Sequence, residues 1–81
     1  NLTRATLQAA VLVGADLTGA RLASANLHWA DLRSTNLCGA DLSRADMASA
    51  RLQGARYDAE TKLPDAVSPG SRGMQLVSDG D

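Results

Sequence analysis

An all-β solenoid is the fold class that this 81-residue chain predicts, and three observations predict it. The first is a period of five, carried by Leu2, Leu7, Leu12, Leu17, Leu22, Leu27, Leu32, Leu37, Leu42, Met47, Leu52 and Tyr57. The second is a small residue two positions before each of these from Leu7 onward: Ala5, Ala10, Ala15, Ala20, Ala25, Ala30, Thr35, Ala40, Ala45, Ala50 and Ala55. The third is the residue just before the leucine, which is Asn or Asp at Asn1, Asp16, Asn26, Asp31, Asn36, Asp41 and Asp46. An internal repeat of this kind outranks any window-averaged propensity.

Alanine and leucine are strong helix formers, so a long helix is the competing reading. The period rejects it. Residues five apart on an α-helix are turned by about 140° net, and leucines at that spacing spiral over every face without making a stripe. Inward candidates separated alternately by two and three residues suit a short extended stretch followed by a bend. The Asn and Asp residues hydrogen-bond nearby backbone and favour bends. Two residues after the leucine come Gly14, Gly19, Gly39 and Gly54, with Ser24, Ser34 and Ser49 at equivalent places, as a tight backbone turn requires.

The blocks Ala15-Asp16-Leu17, Ala25-Asn26-Leu27, Ala30-Asp31-Leu32 and Ala40-Asp41-Leu42 resemble the A-[DN]-L-x-x unit of the pentapeptide-repeat proteins. That resemblance runs over residues 1–59. It implies a right-handed quadrilateral parallel β-helix with four units, hence twenty residues, per coil and about three coils in this chain. Charge gives an independent check on the twenty-residue coil. It pairs Arg21 with Asp41 and Asp31 with Arg51, whereas a fifteen-residue coil would stack Asp16 on Asp31, and a twenty-five-residue coil Asp16 on Asp41. Like charges on neighbouring strands destabilise. The expected inner columns are then Leu2/Leu22/Leu42, Leu7/Leu27/Met47, Leu12/Leu32/Leu52 and Leu17/Leu37/Tyr57.

The period breaks after Tyr57, and Pro64 brings a residue that cannot donate to a ladder. The run Tyr57 to Pro64 is similar to the segment that closes many bacterial members of the family, which sets a C-terminal capping segment at 60–65. Residues 66–81, rich in Ser, Gly, Asp and Pro, read as a flexible tail, with Met74 to Val77 as a short apolar stretch within it. Residue 1 falls inside a repeat, so the chain reads as the C-terminal part of a larger bacterial protein. The first coil, with Leu2, Leu7, Leu12 and Leu17, is the expected self-association end. A homodimer formed there is head to head.

Formal charge is -1, with Arg and Asp interspersed, so no nucleic-acid patch is visible. No stretch approaches a membrane span, and a single cysteine, Cys38, suits a reducing, cytoplasmic setting rather than a disulfide scaffold. His28 and Cys38 lack a third and fourth ligand, and Ser34, Ser43 and Ser49 are turn residues rather than nucleophiles. No enzyme activity, cofactor or metal is expected. The outward surface carries one unusual patch, Val11, Val13, Trp29 and Arg33, in which tryptophan and arginine, the types enriched at binding hot spots, stand beside apolar neighbours; the alternative is that Trp29 lies across small Ala9 and shields the corner. The reading is a non-enzymatic interaction or scaffold module with an unidentified protein partner. Two alternatives stand beside it: a DNA-mimic binder of DNA gyrase or topoisomerase, as the resemblance implies, and a structural extension stacked on another domain.

Overall fold

The structure, a computed structural model, describes residues 2–77. It holds strands and turns without a helix among those residues. Each five-residue unit makes one extended step and one turn. The alanine N–H closes the turn on the leucine carbonyl, as from Ala25 to Leu22 and from Ala40 to Leu37, both at 3.0 Å. The second turn residue is left-handed in every unit from Arg4 to Gly54, with φ between 59 and 74°. That is the type II pattern, which costs glycine nothing. Arg4, Ala9, Ser24, Trp29, Ser34, Arg44 and Ser49 adopt it as well.

Parallel bridges join pre-leucine residues twenty apart: Thr6 to Asn26 to Asp46, Val11 to Asp31 to Arg51, Asp16 to Asn36 to Arg56, and Arg21 to Asp41. These four ladders are the sides of the solenoid. For orientation, residues 2–21, 22–41 and 42–62 are here the first, second and third coils, and the units of Leu2, Leu7, Leu12 and Leu17 open the first to fourth sides. Between coils the leucine N–H donates forward (Leu7 to the Asn26 carbonyl, 2.8 Å) and the pre-leucine N–H donates back (Asn26 to the Ala5 carbonyl, 2.8 Å). The interior backbone is thereby satisfied without a long strand.

The Asn/Asp column acts locally. Asn26 Oδ1 accepts from the His28 N–H (3.1 Å), Asn36 Oδ1 from Cys38 N–H (3.1 Å) and Asp46 Oδ1 from Ala48 N–H (3.1 Å), each two residues on. Asp16 and Asp41 bind both the N–H and the hydroxyl of Thr18 and Ser43. Arg21 and Asp41, and Asp31 and Arg51, do meet in register, but their carboxylates turn to their own units because a donor two residues on is already in reach.

Leu22, Leu27, Leu32, Leu37, Leu42 and Leu52 are at most 1% exposed, and Ala25, Ala30, Ala40 and Ala55 are fully covered. Thr35 replaces alanine in this layer, and its hydroxyl donates to the Leu32 carbonyl at 2.8 Å, so no polar atom is left unpaired there. Leu7, Leu12 and Leu17 are half-buried, and Leu2 is exposed.

The period breaks through one inserted residue, since Asp41 bridges Lys62, twenty-one positions on. Asp58 spans the gap. Its Oδ1 accepts from the N–H groups of Gly39, Glu60 and Thr61, while the Thr61 hydroxyl accepts from the Asp58 N–H and donates to the Leu37 carbonyl. Desolvation pushes the Asp58 carboxyl up, but the hydrogen bonds from Gly39, Thr61 and Glu60 outweigh it and hold it below the ordinary aspartate range.

The expected flexible tail over 66–81 needs correction for residues 66–77; residues 78–81 lie outside the described residues. Val67 and Met74 are buried under the third coil, beside buried Pro64. Strand β1 (Arg56–Tyr57) pairs in parallel with β2 (Gln75–Leu76), Arg56 opposite Gln75. The tail composition lacks a period, yet the exposed lower edge of the third coil supplies a template and an apolar floor that two side chains fill.

Candidate functional site

Val11, Val13, Trp29 and Arg33 occupy one edge of the solenoid. Val11 bridges Asp31 on the third side, Val13 follows Leu12, Arg33 follows Leu32, and Trp29 stands at the corner leading into that side. All four are exposed: Val11 by 78%, Trp29 by 61% and Val13 by 50%, with Arg33 also outward. The apolar groups therefore face solvent as a small patch, beside half-buried Asp31.

Arg33 differs in role from the sequence reading. Its Nε and Nη2 form a fork on the two carboxylate oxygens of Asp31, at 2.8 and 2.7 Å. The Arg33 hydrogen bond, then the Arg33 backbone and charges, hold the Asp31 carboxyl below its ordinary range, and Asp31 raises the Arg33 guanidinium in return. The pair is charge-compensated, so the patch offers apolar and planar surface rather than net charge.

Trp29 carries the most unusual geometry. Its φ is +67°, a left-handed value that is an outlier for a bulky residue. The imidazole of His28 stacks on the indole at 5.4 Å between centroids and 5° between planes. Trp29 thus meets a ring rather than lying buried at the corner. Sequence reading missed His28 as its partner, because alternation alone places adjacent residues apart, whereas a left-handed turn brings their side chains to one side. Nothing at this edge resembles a reaction centre, and among the described residues no cluster of three His, Cys, Asp or Glu side chains converges on a metal position.

A second concavity of about 550 Å³ lies at the corner from the fourth to the first side, where Gly19 stacks on Gly39 and leaves the corner without side chains. Arg21, Asp41, Glu60 and Lys62 line it with opposed charges. The expected self-association residues sit elsewhere, on the first coil: Leu2 is 39% exposed, and Leu7, Leu12 and Leu17 are half-buried. No helix of the described residues is long and apolar enough to cross a membrane.

Comparison with known proteins agrees with this geometry. The pentapeptide-repeat family model matches eight copies over residues 1–37 and 25–56. A solved pentapeptide-repeat protein, Rfr23 from the cyanobacterium Cyanothece 51142, is 40% identical with a TM-score of 0.77 over 78% of this chain. This chain spans 43% of that protein's length. The pentapeptide-repeat protein alr5209 from Nostoc PCC 7120 is 28% identical, with a TM-score of 0.55 over 93% of this chain and 83% of its own. No curated protein matches. With the five-residue turn, the twenty-residue ladders and a matching family model over most of its length, the chain belongs to the pentapeptide-repeat family.

Proposed function

We propose that this chain is a non-enzymatic protein-interaction module, a right-handed solenoid of three coils over residues 1–59 that uses the Val11, Val13 and Trp29 edge to hold a protein partner. One observation carries the reading: Trp29, Val11 and Val13 stand 61%, 78% and 50% exposed on one edge, whereas the other left-handed turn positions from Arg4 to Gly54 hold only Arg, Ala, Ser or Gly. A group of large apolar side chains left in solvent is the informative departure from an ordinary surface. The compensated Arg33–Asp31 fork beside it favours an apolar partner surface over a nucleic acid.

Charge also supports this reading over mimicry of DNA. A duplex as long as the 35 Å extent of this chain carries on the order of 20 phosphate charges, against a formal charge of -1 here. The 43% coverage of the Rfr23 chain supports placement within a larger protein, and the single cysteine supports a cytoplasmic setting. A second reading, stacking of another copy or domain on the first coil, is favoured by the 39% exposure of Leu2 against at most 1% for Leu22. Leu7→Asp would abolish such a dimer in sedimentation. An unchanged dimer would end that reading.

The main reading is tested with a photo-crosslinking residue at position 13 and a control at position 18, on the fourth side. The expected result is a protein adduct from position 13 alone that disappears in Trp29→Gly. Adducts that form equally from both positions, or persist in Trp29→Gly, refute the assignment.

A further inference from the structure

The lower edge of the third coil meets residues 72–77 where another coil would otherwise lie. Gly54 N–H donates to the Gly73 carbonyl (2.9 Å), Gln75 N–H to the Ala55 carbonyl (2.8 Å) and Val77 N–H to the Tyr57 carbonyl (2.7 Å). Arg72 Nη1 donates to the Ala50 carbonyl at 3.2 Å. The same alternation joins the second coil to the third, where Ser34 N–H donates to Gln53 and Arg56 N–H to Thr35. The segment is therefore held as a strand, through its backbone, by an edge that the repeat itself builds.

Its side chains impose two requirements. At Gly73, φ is +74°, and an added Cβ would stand 3.5 Å from the Gln53 Cα. Met74 is 8% exposed and fills the floor beside Val67. Gln75, Leu76 and Val77 remain exposed and add no selection of their own. Between Pro64 and Met74 only Val67 is buried, so the arm is anchored at two apolar points and by a short ladder. Such a segment opens at a lower free energy than the coils above it.

We propose that the underside of the third coil, along its third and fourth sides, is an acceptor site for an extended peptide, filled in cis by residues 73–77. Its partner is a protein segment that adds as a parallel strand and carries glycine followed by an unbranched apolar residue, the pattern of Gly73 and Met74. Main-chain hydrogen bonds supply the affinity and the Met74 position supplies the selection, as in other strand-addition recognition. The arm competes for the site, so its release governs access. This site shares no residue with the Trp29 edge, and Trp29→Gly leaves it unchanged.

The test uses the full chain and a fluorescent peptide with the sequence of residues 64–77. Met74→Asp in the chain weakens its own arm, because the carboxylate loses its solvation against the apolar floor. By anisotropy the peptide should bind Met74→Asp saturably and at least about tenfold more tightly than the unaltered chain, in which the arm lowers the competent fraction. A Met74→Asp peptide should bind neither. Absence of saturable binding to a Met74→Asp chain that melts cooperatively overturns the proposal. Should that variant fail to fold, hydrogen exchange on the unaltered chain decides. The Gln75 and Val77 amides should exchange about a hundredfold faster than those of Leu32 and Leu37, and equal protection overturns the proposal.

Discussion

Leu32→Ala should be the most damaging single truncation along the third side, and its cost follows from the packing. Leu32 is 0% exposed and lies in a column between Leu12 and Leu52, with Leu22, Leu27 and Leu37 in its own coil. The substitution removes three carbons, a transfer loss of about 2.4 kcal/mol at about 0.8 kcal/mol each. A cavity term adds to this, since the neighbouring layers cannot collapse inward. Leu12 and Leu32 are tied to the next coil by N–H bonds of 2.8 Å to Asp31 and Arg51, which fix the spacing. The total is about 3–5 kcal/mol. For a domain of this size, whose whole stability lies near the low end of about 5–15 kcal/mol, that leaves little or no folded chain at 37 °C. Leu12→Ala, at a half-buried position of the same column, should cost roughly half as much. Urea unfolding followed by circular dichroism measures both against exposed Gln8→Ala, which should stay within about 0.5 kcal/mol of the unaltered chain. A Leu32→Ala midpoint equal to that of Gln8→Ala would refute the inside-outside assignment of the five-residue unit.

The Asp58 carboxyl is held below its ordinary value of 3.8, so its contribution is fully present above that pH and is lost as the pH falls through the lowered folded value. Urea midpoints of Asp58→Asn should accordingly lie below those of the unaltered chain at pH 7, and the gap should narrow at pH 3; a gap independent of pH would remove Asp58 from its bridging role. Asp16, Asp31 and Asp41 are shifted the same way, by the Thr18, Arg33 and Ser43 hydrogen bonds respectively, and add to acid sensitivity in the unaltered chain. Trp29→Gly relieves left-handed strain at an exposed site and should stabilise by about 1 kcal/mol, read as a raised thermal midpoint; a lowered midpoint would mean that the indole packs structurally. Gly39→Ala meets no atom closer than 3.8 Å, yet its φ of +71° should make it cost about 1 kcal/mol in urea, and a neutral result would mean that the corner relaxes.

By itself the sequence determined the repeating parts. A five-residue period with leucine and alanine inward, Asn or Asp before the leucine and a tight turn after it is a local code, and each unit reads it independently of the rest of the chain. That is why the inner columns, the turn positions and the exposure of Val11, Val13 and Trp29 were legible from composition and spacing. Tertiary structure decided whatever depends on residues brought together from outside the period. Asp31 chose Arg33 over Arg51 because a guanidinium two residues on reaches both carboxylate oxygens at once. His28 became the partner of Trp29 because the left-handed corner lays their rings parallel. Asp58 and Thr61 bridge an inserted residue that spacing alone registers only as a break. Residues 66–77 are aperiodic, and apart from the short apolar stretch Met74 to Val77 nothing within them calls for order. Their structure comes from the third coil, whose unpaired edge and apolar floor exist only after the leucines above have stacked.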